Sequence, residues 1–255
     1  MAKQQETLSS VHNALRILRV FTHENPEMGI SELSVRLGLA KSTVFRLLRT
    51  LSEDHLVEKN KKSQKYHLGL AALELGFAVY HEMELRKVSL PFLERLTKTL
   101  RKVVHMGVYD NGEVVYICKL LPDDHLGTIT QIGRRVPLHC TSVGKILLAH
   151  QSESEISRLL QNELIAYTGK TIIHHDRLRS CIADIHKKGY AVSHDELKMG
   201  VSSVSVPVVN DYGEVIAAIS VAGSTAHFYD SQVQQYIREL KTCSRIITER
   251  LDMQE

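Results

Sequence analysis

GISELSVRLGLAKSTVFRLLRTL, residues 29–51, holds two short stretches of helical spacing joined at a glycine. Leu33 and Leu37 mark one side of the first stretch, which Ser31 is placed to cap. Gly38 supplies the turn, and a longer helix is expected from about Lys41 to Glu53. On a wheel centred on Val44, the residues Leu47, Leu48 and Leu51 fall together while Ser42, Arg46 and Arg49 gather opposite. A solvated face is the commoner fate of such a pattern, so its neighbours decide the reading.

In front, residues 8–23 read as another helix, with Val11, Leu15, Leu18 and either Ile17 or Phe21 at helical spacing. Pro26 and Gly29 close it off. Behind lies LVEKNKKSQKYHLG, residues 56–69, in which Leu56, Val57, Tyr66 and Leu68 flank a basic tip as in a hairpin. Three helices and a basic hairpin make an all-α winged helix-turn-helix over residues 1–68, whose third helix is shaped for the major groove of double-stranded DNA. Arg46 and Arg49 suit guanine O6 and N7, where a bidentate contact discriminates by about 1–3 kcal/mol. Lys41, Ser42 and Thr43 at the helix start suit phosphate oxygens, and Lys59, Lys61, Lys62 and Lys65 suit the flanking backbone.

The charge distribution agrees. Residues 1–67 hold eleven Lys or Arg against seven Asp or Glu, a surplus of four, whereas the whole 255-residue chain carries only +3. The composition, 43% hydrophobic and 24% charged, is that of a chain able to bury a core. No apolar run approaches the ~18 residues of a membrane span, and the start lacks the apolar centre of a signal peptide. Four widely spaced cysteines form no C-x-x-C pair, which argues against a zinc ribbon or disulfide framework. A cytoplasmic protein without membrane partner, cofactor or metal is expected.

Residues 69–86 read as a linker helix, continuous from Leu70 to Leu85, with an interruption near Pro91. The pattern then changes. VVHMGVYDNGEVVYICKL and VSSVSVPVVNDYGEVIAAISVAG each read as two strands about a tight turn, at Asp110–Gly112 and Asp211–Gly213. Helical patterns fill 141–150, 153–161, 175–188 and 230–251, so residues 87–255 are expected to be an α+β domain on an antiparallel sheet. TSVGKILLA begins a helix that Thr141 is placed to cap, leaving the amides around Ser142, Val143 and Gly144 to receive a carboxylate.

Four motifs in order resemble the IclR family of bacterial transcriptional regulators: GISELSVRLGLAKSTVFRLLRTL, KYHLG, PLHCTSVGKILLA and GYAVSHDELKMGVSSVSVPV. The resemblance implies a GAF/PAS-like effector-binding and oligomerisation domain, and homodimers or homotetramers on palindromic operators, repression being favoured over activation. It places the effector site at Ser193, Ser203, Ser220 and Ala222. Of these only Ser220 keeps the family's residue type: Ser193 stands for an acid, Ser203 for a cysteine and Ala222 for a second serine. Asp195 or Glu196 is the candidate substitute acid, and Leu126, Ile129, Val136 and Leu138 the candidate apolar wall. QIGRRVPLHCTSVGKILLA is most similar to regulators of hexuronate and 2-keto-3-deoxygluconate use, which implies a small organic acid such as a sugar acid.

Two rival classes compete with this reading. Catalysis has thin support: Ser142-x-x-Lys145 lacks the S-D-N and K-T-G companions of penicillin-recognising enzymes, and Gly169–Thr171 lacks the earlier glycine of a phosphate loop. The adjacent His174 and His175 would diverge rather than share a metal. A constitutive DNA-binding protein with a purely oligomerising rear domain remains the alternative, favoured if Ser203 and Ser220 are packed dry.

Overall fold

The computed structural model describes residues 8–22, 24–122 and 132–253, so Leu126 and Ile129 lie outside the described residues. Contacts divide the chain into two compact units, Met1–Met83 and Glu84–Glu255.

The first unit contains α1 (Ser9–Val20), α2 (Ile30–Leu37), α3 (Lys41–Glu53), β1 (Val57–Lys59), β2 (Tyr66–Leu68) and α4 (Leu70–Glu82). Helices as short as α2 are marginal alone, so packing must hold them. Ile17, Leu33, Val44, Leu48 and Val57 are completely buried in one cluster, each contributing about 1.5–3 kcal/mol. Gly38 ends α2 in the left-handed region at φ 66°, as its turn requires. β1 and β2 pair antiparallel, and Met28 adds a bridge to Tyr66 that makes a rudimentary third strand.

One local expectation fails here. Ser31 lies inside α2 rather than capping it; the Glu32 carboxylate reaches back and accepts from the Gly29 amide at 2.7 Å. The longer side chain returns over a full turn, which a serine at position 31 cannot do. In α1 the core is met by Ile17, Val20 and Phe21, whereas Val11 and Leu15 stay half exposed. That helix carries apolar residues on two sides, and spacing alone did not tell which side the core occupies.

The second unit begins with α5 (Glu84–Leu100). The helical break expected near Pro91 falls instead at Met83 (φ −66°, ψ 91°), and α5 runs through Pro91. An internal proline costs about 3 kcal/mol, but burying Leu93 and Leu96 recovers about 1.5–3 kcal/mol each. Six antiparallel strands follow in the order β5-β4-β3-β8-β7-β6. They are β3 (Val103–Asp110), β4 (Glu113–Leu120), β5 (Arg135–Pro137), β6 (Ala191–His194), β7 (Val201–Val209) and β8 (Val215–Ser224). Asn111 and Gly112, at φ 51° and 88°, form the tight turn between β3 and β4. The short edge strands β5 and β6 had no alternation long enough to announce them. α6 (Ser142–Ala149), α7 (Glu153–Leu160) and α8 (His175–Lys188) share a core with Tyr116, Ala191 and Ala218 on one sheet face. α9 (Asp230–Leu251) lies along β7, where its Ser244 hydroxyl donates to the Pro207 carbonyl at 2.6 Å.

Candidate functional site

In the first unit, α3 presents Lys41, Ser42, Thr43, Arg46 and Arg49 to solvent while Val44, Leu48 and Leu51 hold it to the core. Its N-cap is Ala40, whose side chain caps nothing. The first amides of α3 therefore keep their donors for an external anion, with the helix dipole aligned to receive it. Arg49 shares its charge with Glu53 at 3.4 Å, whereas Arg46, one turn earlier, is exposed with no salt-bridge partner among the described residues. Arg46 is thus the freer guanidinium.

The wing tip is built by Asn60. Its side chain donates to Glu27 at 2.7 Å and accepts from the Lys62 and Ser63 amides, fixing a loop from which Lys61 and Lys62 project. Hydrogen bonds from Asn60 and Ser63 hold the Glu27 carboxyl below its ordinary range. Two of the wing lysines also have partners within the protein. Lys65 bonds Glu32 at 2.9 Å, and Lys59 lies 5.9 Å from the centre of the Tyr66 ring. Lys65 therefore braces the wing to α2.

In the second unit the sheet register gathers polar residues on the face toward α6. Cross-strand partners point to one side. One row runs Ser193, Ser203, Ala222; the next runs Ala191, Ser205, Ser220, His105, Lys119. The face is identified by Ser142 on α6, whose hydroxyl donates to Ser203 at 2.8 Å. Gly107, two residues past His105, faces the same way: a Cβ there would come within 2.9 Å of Val143 on α6.

The predicted effector residues divide. Ser142, Ser203 and Ser220 come together on this face. Ser193 joins them, but its hydroxyl donates to the Cys140 carbonyl at 3.1 Å. Leu138 and Val143 are core residues, each 1% exposed. The Gly144 amide is not free: it donates to the Thr141 hydroxyl at 2.9 Å. Gly144 is there because a Cβ would lie 2.3 Å from the Leu138 carbonyl oxygen, so any side chain would push α6 off its strand. The expected carboxylate cradle is thereby reduced to the Ser142 and Val143 amides. Asp195 is not brought in as a substitute acid. Its carboxylate accepts from the Gly200 amide at 2.7 Å and from Thr225 at 2.6 Å, which also holds it below its ordinary range. Glu196 is likewise spent, on Lys145.

Four residues on or beside this face escaped the sequence reading: His105, Tyr116, Lys119 and Arg134. The His105 and Tyr116 rings lie 4.8 Å apart. Burial first, then the charges of Lys119 and Arg134, push the His105 pKa down to about 3, so the ring is neutral at pH 7. Burial, then Arg134, lowers Lys119 as well. The arrangement places the Lys119 ammonium on the sheet face that also carries the Ser203 and Ser220 hydroxyls. The signal in sequence was one polar residue, His105, in an inward register; only the sheet pairing sets it opposite Ser220.

The geometry gives no support to catalysis. The Lys145 ammonium bonds Glu196 and the Val192 carbonyl, at 2.5 and 3.3 Å, while Ser142 is turned to Ser203. Burial pushes the Cys140 thiol up to about 12, away from thiolate reactivity. Among the described residues, no three His, Cys, Asp or Glu approach as metal ligands, and no helix is long and apolar enough to cross a membrane.

A winged helix with an exposed cationic third helix, followed by a separate α+β unit with a polar inner face, defines a two-part DNA-binding transcriptional regulator. Residues 10–61 match the IclR helix-turn-helix domain and residues 77–249 the bacterial transcriptional regulator IclR C-terminal. The chain belongs to the IclR family. It is 33% identical over 237 residues to the HTH-type transcriptional regulator XynR of Escherichia coli K12, covering 92% of this chain and 93% of that protein. It is 32% identical over 247 residues to the regulator KdgR of the same strain, covering 96% and 94%. The crystal structure of an IclR transcriptional regulator from Alicyclobacillus acidocaldarius is similar at TM-score 0.84 and 27% identity, covering 96% and 99%.

Proposed function

We propose that this regulator represses its target from a palindromic operator and is released or retained by a small organic acid. The uncapped, cationic start of α3 carries the DNA part: it presents amides, hydroxyls and Arg46 together on one exposed face. The acid enters the inner face of the second unit, where Lys119 supplies charge and Ser203 and Ser220 supply hydroxyls. Similarity to KdgR points toward a 2-keto-3-deoxygluconate-type sugar acid. Two exposed apolar stripes, Val11 and Leu15 on α1 and Leu70, Leu73 and Phe77 on α4, suit a second copy of the chain. Such a homodimer, or a pair of them as a homotetramer, would set two recognition helices on the two half-sites in the cytoplasm.

Coupling requires an acid that binds one arrangement of the paired winged helices better than the other. Residues 69–86, containing α4 and the Met83 break, are the segment through which such a preference would pass. The test is operator affinity measured across a titration with sugar acids, keto acids and aromatic acids. Binding of an acid that leaves DNA affinity unchanged refutes the coupling.

One observation favours the oligomerisation-only reading. The hydroxyls of Ser142, Ser193 and Ser205 are satisfied by Ser203, Cys140 and Ile219 within the protein. Under that reading no acid on the panel binds, while operator affinity persists.

A further inference from the structure

The exposed face of α3 is not wholly polar. Phe45 is 49% exposed, although it sits in the helix whose core side is otherwise filled by Val44, Leu48 and Leu51. At 100° per residue it lies on the shoulder of the DNA-facing surface, about 40–60° from Arg49 and Ser42. Ser42 and Arg49 are its i−3 and i+4 neighbours, so all three share a patch. The opposite shoulder, at Thr43 and Thr50, is hydroxylic. The two edges of the helix therefore offer a groove different chemistry.

The floor of the major groove carries one projecting apolar group, the C5 methyl of thymine; cytosine has only a hydrogen at that place, and the other readable features are hydrogen-bond donors and acceptors. A phenyl ring beside a guanidinium on an inserted helix gains by covering that methyl and gains nothing from the other base edges. We propose that Phe45 reads a thymine methyl in each operator half-site, adjacent to the base pair read by Arg46. The inference rests on α3 occupying the major groove, and it adds a second, apolar determinant of sequence preference to the cationic one.

The test uses the full chain and a duplex selected by it from a random-sequence pool. Each thymine is then replaced singly by deoxyuridine, which removes only the methyl. One thymine per half-site is expected at which the replacement weakens the native protein about fourfold, the factor that burying one methylene is worth. In Phe45→Ala the same replacement has no further effect, and Phe45→Leu retains part of it. Thermal denaturation and binding to unselected duplex establish that both variants are folded. Equal losses from deoxyuridine in native and Phe45→Ala protein, or none at any position, overturn the proposal. Failure of the native protein to select any duplex would instead refute the DNA-binding reading of α3.

Discussion

The Lys145 ammonium lies 2.5 Å from the Glu196 carboxylate, joining α6 to the loop after β6 with both side chains out of water (2% and 8% exposed). Lys145 also donates to the Val192 carbonyl, while the second carboxylate oxygen of Glu196 has no hydrogen-bond partner among the described residues. The pair ties the helix bearing Ser142 to the strand bearing Ser193, so it holds the polar face in register. Glu196→Ala strands a buried ammonium and should cost about 3–5 kcal/mol in denaturant unfolding of the second unit. The double replacement Lys145→Met with Glu196→Leu should cost less than Glu196→Ala alone. Additive losses would show that the two groups act separately.

His105 makes stability depend on pH. Burial, Lys119 and Arg134 hold its folded pKa near 3, against an ordinary value of 6.5. Below pH 6.5 the unfolded chain takes the proton first, so acid favours unfolding, and the loss continues until the folded ring also titrates. The penalty is about 1.4 kcal/mol for each pH unit in that window. His105→Gln should flatten the stability profile there by one proton's slope and leave it unchanged above pH 7.5. An identical slope in the two proteins would show that His105 does not titrate as described.

Substitution at Lys119 tests the proposed effector site apart from DNA binding. Lys119→Gln keeps a polar side chain of similar length but removes the charge offered to an acid. In thermal-shift titrations against a sugar-acid panel, the stabilisation seen for the native protein should fall at least tenfold in apparent affinity, since ligand binding stabilises the folded state. Affinity for operator without acid should stay within about twofold, because Lys119 belongs to the second unit. Undiminished acid binding would place the anion elsewhere.

Arg46 and Lys62 differ in kind. Arg46→Ala should weaken operator binding by about 1–3 kcal/mol while barely changing affinity for random duplex. Lys62→Ala should weaken both alike and reduce the dependence on salt concentration by close to one released ion. Equal losses on operator and random DNA for Arg46→Ala would make it a backbone contact.

The apolar stripes of α1 and α4 give a prediction about assembly. None of the thirteen residues of α4 is buried within the chain, an unusual fate for a helix containing Leu70, Leu73, Leu75 and Phe77. Leu15→Glu combined with Leu73→Glu should shift sedimentation from dimer to monomer and lower operator affinity. Persistence of the dimer would place the interface on the second unit.

How much could be read before folding differs between the two units. The span of α3, the Gly38 turn and the basic hairpin were legible because each depends on residues within one or two turns of each other. The same locality gave the Asn111–Gly112 turn and the limits of α6, α8 and α9. Errors arose wherever a residue had two acceptable local roles. Ser31 was a plausible cap until Glu32 reached back to Gly29, and Pro91 was a plausible break until Leu93 and Leu96 found a core.

The polar inner face of the second unit was the least legible part, and the reason is geometric. His105, Lys119 and Ser220 are neighbours only because β3 lies between β4 and β8, a pairing that joins residues more than a hundred positions apart. Sequence by itself determined the periodicities, the local turns and the cationic front, since those arise from steric and charge preferences acting over a few residues. Tertiary structure decided which hydroxyls were already spent, which carboxylates were locked into turns and which cations share a face. Those outcomes follow from cross-strand register and close packing, which one-dimensional spacing does not encode.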